Sequence, residues 1–172
     1  MGDTRVLQAG TSHFLGDNFA LAFDIQYLDR ENTRQFVHTS SWGLSTRFIG
    51  AIIMVHGDDQ GLVMPPRLAP YQAVIVPIFQ DDAEQSAVME RVEAVKAQLA
   101  AFRVHVDRRE GLRPGFKFHD WEMRGVPVRI EIGPKDVAQG TVTLARRDQP
   151  GKAGKRTWPQ AGLEQSLGEL LV

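Results

Sequence analysis

Cysteine is absent from all 172 residues, which excludes disulfides and any thiolate zinc site and fits a reducing compartment. Any metal would need other ligands. No apolar run approaches the roughly 20 residues that a membrane-spanning helix needs. The opening MGDTRVLQAG also lacks the basic and apolar regions of a signal peptide. These absences lead to the expectation of a cytoplasmic chain with no membrane partner. A strong charge of one sign is missing too: 20 Lys and Arg stand against 21 Asp and Glu, for a net −1. That balance argues against non-specific coating of nucleic acid, which relies on a broad basic surface. Nucleic-acid binding by this chain has to be local. Internal repeats and low-complexity segments are lacking as well.

What is present is the composition of an ordinary globular protein, with enough Val, Ile, Leu and Phe to build a core. The length suits one domain of ordinary size or two small ones. Positive charge gathers at Arg103, Arg108, Arg109, Arg113 and Lys117, and again at Arg146, Arg147, Lys152, Lys155 and Arg156. Such groups form either solvated faces or a local basic surface.

Along the chain, residues 4–14 read as a strand entering a polar turn, followed by a short helix at 18–23 and a second strand at 35–42. STRFIGAIIMV at 45–55 has the dense apolar content of a buried helix, stopped by His56-Gly57-Asp58-Asp59. A strand at 61–64 is cut off by Pro65-Pro66, and this proline punctuation through Pro70 marks the domain boundary, predicting domains at 1–71 and 72–172. The pattern then alternates. AVIVPIF at 73–79 reads as a strand buried on both faces. A helix over 83–103 carries Val88, Val92, Val95, Leu99 and Phe102 on one side. Further strands are predicted at 104–107, 126–133, 141–147 and 155–158. Helices are predicted at 114–124, with proline in the first turn and Gly125 closing it, from 134, and from 163. This alternation predicts an α/β fold, a mixed sheet with helices packed on it.

Several groups of residues carry chemistry. Thr11, Ser12 and His13 offer hydroxyls and an imidazole at a strand end, suited either to orienting a small zwitterion or to routine turn duty. In HTSSWG, from His38 to Gly43, Trp42 is either a core indole or the apolar wall of a small pocket. Arg67 stands in a proline-bounded turn from which a guanidinium can grip phosphate oxygens bidentately. His56, Asp58 and Asp59 have the donor types of a metal site, but HGDDQG reads as a tight connection, and no metal ligands are assigned. Glu122, Arg129, Lys135 and Asp136, spread over a helix, a strand and the turn after it, form either a surface ion-pair cluster or a reader of unpaired bases at one edge of the sheet. Phe116 and Phe118 can stack on a base or pack in the core, and Lys117 is assigned to phosphate.

The runs QAGTSHFLGDNFA, VHTSSWGLSTRFIGAIIMVHGDDQGL and VMPPRLAP, with GFKFHDWEMRGVP and VRIEIGPKD beyond them, resemble the prolyl-tRNA synthetases of the archaeal and eukaryote-like type, in that family's order and over nearly the whole chain. The resemblance implies the end of a class II antiparallel-sheet catalytic domain, including its third signature motif, joined to an anticodon-binding domain. It implies ATP as substrate, Mg2+ for the complete enzyme, proline and tRNA(Pro) as partners, and a homodimer. It places Thr11, Ser12, His13, His38, Trp42 and Gly43 at the proline and adenylate site, Arg67 at the ATP tail, and Glu122, Arg129, Lys135 and Asp136 at the anticodon. PPRLAP departs from the glycine-rich form of the third motif usual in the class. The first and second class II motifs are not found in the chain, which is therefore expected not to activate proline alone. A non-catalytic accessory module that binds tRNA is the alternative.

Overall fold

The computed structural model describes residues 4–149 and 151–172, in two compact units, Met1–Val55 and His56–Val172.

The first unit contains β1 (Gly10–Gly16), α1 (Asn18–Phe23), β2 (Gln26–Leu28), β3 (Arg34–Phe36), β4 (Thr39–Leu44) and most of α2 (Arg47–His56). β1 pairs antiparallel with β4, and β2 with β3. The predicted strand at 4–14 begins only at Gly10 and runs on to Gly16. The predicted strand at 35–42 is two strands, because the chain changes partner at Val37-His38, leaving β2 and joining β1. The helix expected at 45–55 forms as α2, but none of its residues is buried. Thin two-stranded ribbons supply no second layer against which a helix can bury a face, and Ala20 is the unit's sole buried hydrophobic residue among the described residues.

The second unit opens with a tight hairpin, β5 (Gly57–Asp58) and β6 (Gly61–Leu62), shorter than the strand expected at 61–64. It continues with β7 (Ala73–Pro77), α3 (Asp82–Gln98), β8 (Val104–Val106), α4 (Pro114–Met123), β9 (Val128–Ile132), α5 (Pro134–Gln139), β10 (Thr141–Arg146), β11 (Lys155–Pro159) and α6 (Leu163–Leu170). The helix predicted to reach 103 stops at Gln98. Asp81 caps α3 at its start, accepting from the Glu84 N–H at 2.8 Å.

The sheet has the order β11-β10-β9-β7-β8, with β7 parallel to β8 and β9, and β9, β10 and β11 antiparallel in turn. The expected mixed sheet with packed helices is therefore observed. Directly paired residues share a face, so the register sorts the side chains. Ile75, Ile130 and Leu144 line up in one row, covered by Val88, Val92, Val95 and Leu99 of the α3 segment and by Leu163 and Leu167 of α6. Each of these side chains contributes about 1.5–3 kcal/mol by burial. On the opposite face the rows are His105, Val74, Arg129, Ala145, Lys155 and Val76, Glu131, Thr143, Thr157. α4 covers only the β7 part of that face, where Trp121 and Phe118 pack on Val74 and Val76.

Candidate nucleic-acid interface

The polar face begins with the local pattern of β9. In VRIEI the odd side chains Arg129 and Glu131 point away from the apolar core, so charge lies on the face that no helix covers beyond α4. Glu131 is nevertheless buried, at 3% exposure. Such burial requires partners, and it has two: Arg129 Nε donates to Oε1 at 3.2 Å and Lys155 Nζ to Oε2 at 2.5 Å. The Arg129 guanidinium also donates to Glu122 Oε1 at 2.6 Å and lies 4.2 Å above the Phe118 ring. Lys155 remains nearly half exposed. The result is an acid–base–acid–base string that ends in water at Glu122 and at Lys155.

Beside this string lies a pocket of about 220 Å³ whose walls include Gln60, Glu122, Arg129, Arg147, Lys152 and Lys155. Arg147 is itself buried, and it joins α4 to the β5–β6 hairpin. Its Nε donates to the Glu122 carbonyl at 2.9 Å, and its two terminal nitrogens donate to Asp58 at 2.8 and 2.5 Å. That bidentate grip holds the Asp58 carboxyl down at about 2.

A second charged group lies on the other side of α4. Asp107, after β8, accepts from Arg109 Nε at 3.0 Å and Nη2 at 2.7 Å, and from the Trp121 indole at 2.8 Å. Arg109 continues to Asp120 at 2.8 Å, and Arg124 reaches Asp120 at 3.2 Å. Burial pushes the Asp107 carboxyl up, but the bonds from Arg109 and Trp121 outweigh it and hold the group far below the usual carboxylate range. His105 stacks on Tyr71 at 4.9 Å, and burial draws its imidazole below the ordinary value.

Glu122 and Arg129, two of the expected base readers, are brought into contact. Asp136 reaches the same face, but its carboxylate accepts from the Gly133 N–H at 3.0 Å and from the Thr141 and Thr143 hydroxyls at 3.4 Å each, so it already serves as the cap of α5. Lys135 is exposed beside it. Lys117, assigned to phosphate, sits inside at 6% exposure, with its ammonium 3.5 Å from the Asp107 carbonyl, because its position on α4 faces the sheet. Phe118 packs in the core while Phe116 is exposed.

In the first unit Thr11, Ser12 and His13 lie inside β1 rather than at its end, so strand alternation divides them. Thr11 and His13 share a face with Gly43 and Ser41, the Ser41 hydroxyl lying 3.3 Å from His13 Nδ1, whereas Ser12 shares the other face with Trp42. Trp42 is 78% exposed and is not a core indole. Thr11 and Gly43 line a cleft of about 280 Å³ with Arg47. His38 lies beside Phe14, ring centroids 5.8 Å apart. Arg67 in the second unit is exposed on a turn whose carbonyls at Pro66, Arg67 and Ala69 accept from the Arg103 guanidinium at 2.9, 3.3 and 3.1 Å, which fixes the backbone beneath its side chain. Among the described residues no group of three acidic or imidazole side chains is placed to hold a metal ion, and no helix is long and apolar enough to cross a membrane.

Glu131 and Gln60 were not singled out from the sequence, and Arg147 and Lys155 were marked only as members of a gathering of positive charge. The in–out alternation of VRIEI was the available signal for Glu131, while the other three depend on register and on contacts distant in sequence.

The family described as the anticodon binding domain matches residues 72–157, which contain both charged groups flanking α4. The chain belongs to that family. Over 172 residues it is 59% identical to the proline–tRNA ligase of Roseiflexus castenholzii, covering 99% of this chain and 36% of that protein. It is 61% identical to that of Chloroflexus aggregans over 173 residues, again 36% of the relative, and 55% identical to that of Cenarchaeum symbiosum over 157 residues, 90% of this chain and 33% of the relative. The chain thus spans about a third of the length of these relatives. In this anticodon binding domain, Glu122, Arg129, Glu131 and Lys155 fall inside the matched segment, while Asp58 and Gln60 precede it.

Proposed function

We propose that this chain is part of a proline–tRNA ligase, in which residues 72–172 read the anticodon of tRNA(Pro) and residues 1–71 belong to the domain that activates proline with ATP. The observation that carries the reading is the Glu122–Arg129 pair, 2.6 Å apart at the mouth of a pocket where α4 leaves the sheet face uncovered. Guanine presents N–H donors on its Watson–Crick edge and two acceptors, O6 and N7, in the major groove. A carboxylate accepts from the former and a guanidinium donates to the latter, so one such pair suits a guanine of the anticodon. Without RNA the two side chains satisfy each other, and a splayed-out base exchanges those bonds for its own. Lys135 extends the surface with an exposed cation. Asp136 acts by holding the start of α5 and Lys117 by supporting α4, and neither is needed as a direct contact.

On the activating side, Arg67 is the residue for the ATP phosphates, its backbone held by Arg103. Thr11, His13 and Gly43 share one face of the hairpin and suit the amino acid, with Ser12, His38 and Trp42 around it. Proline activation is in-line attack by its carboxylate on the α-phosphate of ATP, breaking the α–β bond and releasing pyrophosphate, where positioning and charge do the catalytic work. Mg2+ would neutralise phosphate charge there, and a dimer and the cytoplasm belong to the same reading. The likeness to ligases extends through residues 1–71, so the accessory-module alternative is not favoured.

The test is binding of an RNA stem-loop carrying a proline anticodon, compared with loops in which either guanine is changed, by wild type and Arg129→Ala. Wild type is expected to prefer the unaltered loop and Arg129→Ala to lose most of that preference. Equal binding in all combinations would remove base reading from this face.

A further inference from the structure

The pocket beside Glu122 and Arg129 is not built from the matched segment alone. Gln60, at the tip of the β5–β6 hairpin, lies on its wall, twelve residues ahead of the segment's start at 72. The hairpin is locked there rather than resting there. Asp58 Oδ1 accepts from the Gln60 backbone N–H at 2.8 Å while the same carboxylate holds both terminal nitrogens of buried Arg147. Arg147 in turn donates to the Glu122 carbonyl at 2.9 Å. One chain of bonds therefore runs from Gln60 through Asp58 and Arg147 to the base reader Glu122. The backbones also close on each other. Met64 N–H donates to the Gly125 carbonyl at 3.1 Å. A Cβ on Gly61 would stand 2.5 Å from Met123 Cα, and one on Gly125 would stand 2.7 Å from the Leu62 carbonyl oxygen. Both glycines have positive φ, 124° and 72°, so side chains there are excluded by conformation as well as by space.

We propose that Gln60 is a further specificity residue of the anticodon pocket and that Asp58 and Arg147 are the positioning pair that holds it there. The amide is a donor and an acceptor together, so it complements the acceptor Glu122 and the donor Arg129 around one base or its ribose. The proposal rests on the reading of this face as the anticodon surface. It adds that the HGDDQG hairpin, far from a mere connection, completes the pocket.

The experiment uses the 172-residue chain and the same RNA stem-loops, with affinity read by fluorescence anisotropy and folding by urea midpoint. Gln60→Ala is expected to weaken binding of the unaltered loop roughly three- to tenfold, the worth of one hydrogen bond, and to narrow its preference over a guanine-changed loop, with no shift in urea midpoint. Asp58→Asn is expected to give a similar loss, and the double variant Asp58→Asn with Gln60→Ala to lose no more than the larger single loss, because the two act in series. Asp59→Asn, exposed and outside the chain of bonds, is the control and should bind as wild type. If Gln60→Ala binds and discriminates as wild type while Arg129→Ala loses discrimination, the inference is overturned and the anticodon surface stands. If Arg129→Ala also discriminates normally, the reading of the surface falls and the inference with it. Strictly additive losses in the double variant would overturn the positioning role of Asp58.

Discussion

Two charged networks flank α4 on the same face of the sheet, and they are built to opposite ends. Around Asp107, the carboxylate has no exposure and is saturated by Arg109, the Trp121 indole and the buried Lys117 ammonium. Around Glu131, a similarly buried carboxylate is held by Arg129, itself mostly buried, and by the half-exposed Lys155, with Glu122 and Lys155 left at the open ends of the string. Saturation rigidifies, whereas an open end leaves donors and acceptors that a ligand can take. Composition does not separate these networks, since both are Arg–carboxylate clusters; the difference is that Asp107 takes an indole N–H and a buried ammonium as well, whereas the second cation on Glu131 is half exposed.

The contrast predicts unequal responses to neutralising each centre. Asp107→Asn leaves Arg109 and the buried Lys117 without their shared counter-charge and is expected to cost about 3 kcal/mol of stability, measured by urea unfolding. RNA binding, normalised to folded protein, should not change. Glu131→Gln keeps an oxygen for Arg129 and leaves Lys155 free to reach water, so a loss nearer 1 kcal/mol is expected. Stability losses of equal size would erase the distinction. Function should run the other way. Arg129→Ala is expected to lower discrimination between the proline anticodon and a guanine-changed loop by about 1–3 kcal/mol, roughly ten- to a hundredfold. Asp107→Asn should leave that ratio intact.

How much of this was legible in the residues follows the physics of each signal. The order of strands and helices in the second unit could be read because its period is local: AVIVP is continuously apolar and buried throughout, and Val88, Val92, Val95 and Leu99 repeat at helical spacing. In the first unit the same reasoning misjudged α2, since apolar density reports a need for cover and not whether the unit supplies it. Glu122 and Arg129 were found as candidates because charge beside a strand and helix is visible in sequence. The capping duty of Asp136 and the burial of Lys117 were not, because both depend on which way a helix turns relative to the sheet. Glu131–Lys155 and Asp58–Arg147 bridge 24 and 89 residues, a separation at which no local pattern operates.

Acid sharpens the comparison without mutation. Asp107 has a folded value below its ordinary 3.8, so its ionised form contributes stability that is complete above that pH and is lost as pH falls through the folded value. Asp58, held at about 2, behaves alike, its contribution fading between about 4 and 2. His105 is lowered from 6.5 by burial, so stability should begin a gentler decline as pH drops below 6.5. Urea midpoints measured from pH 8 to 3 are expected to show that shallow step and then a steep one below about 4. His105→Gln should remove the first step and leave the second. A steep loss already at pH 5 would show that Asp107 is not the saturated centre described.

The smallest expected effect concerns Lys152, which lines the pocket wall but belongs to neither network. It is exposed, and the structure records no ion pair for its ammonium among the described residues. Removing it therefore costs the fold nothing but its own solvation, and Lys152→Ala should leave the urea midpoint within about 0.5 kcal/mol of wild type. If RNA enters the open end of the Glu131 network, the nucleotide's phosphate has to pass this rim, and a lysine there neutralises charge without reading sequence. The expected result is a uniform weakening across proline and guanine-changed loops, with the slope of log affinity against log salt reduced by about 0.7, the value for one contact to single-stranded nucleic acid. A change in preference between loops instead of a change in slope would move Lys152 from the rim to the base-reading set.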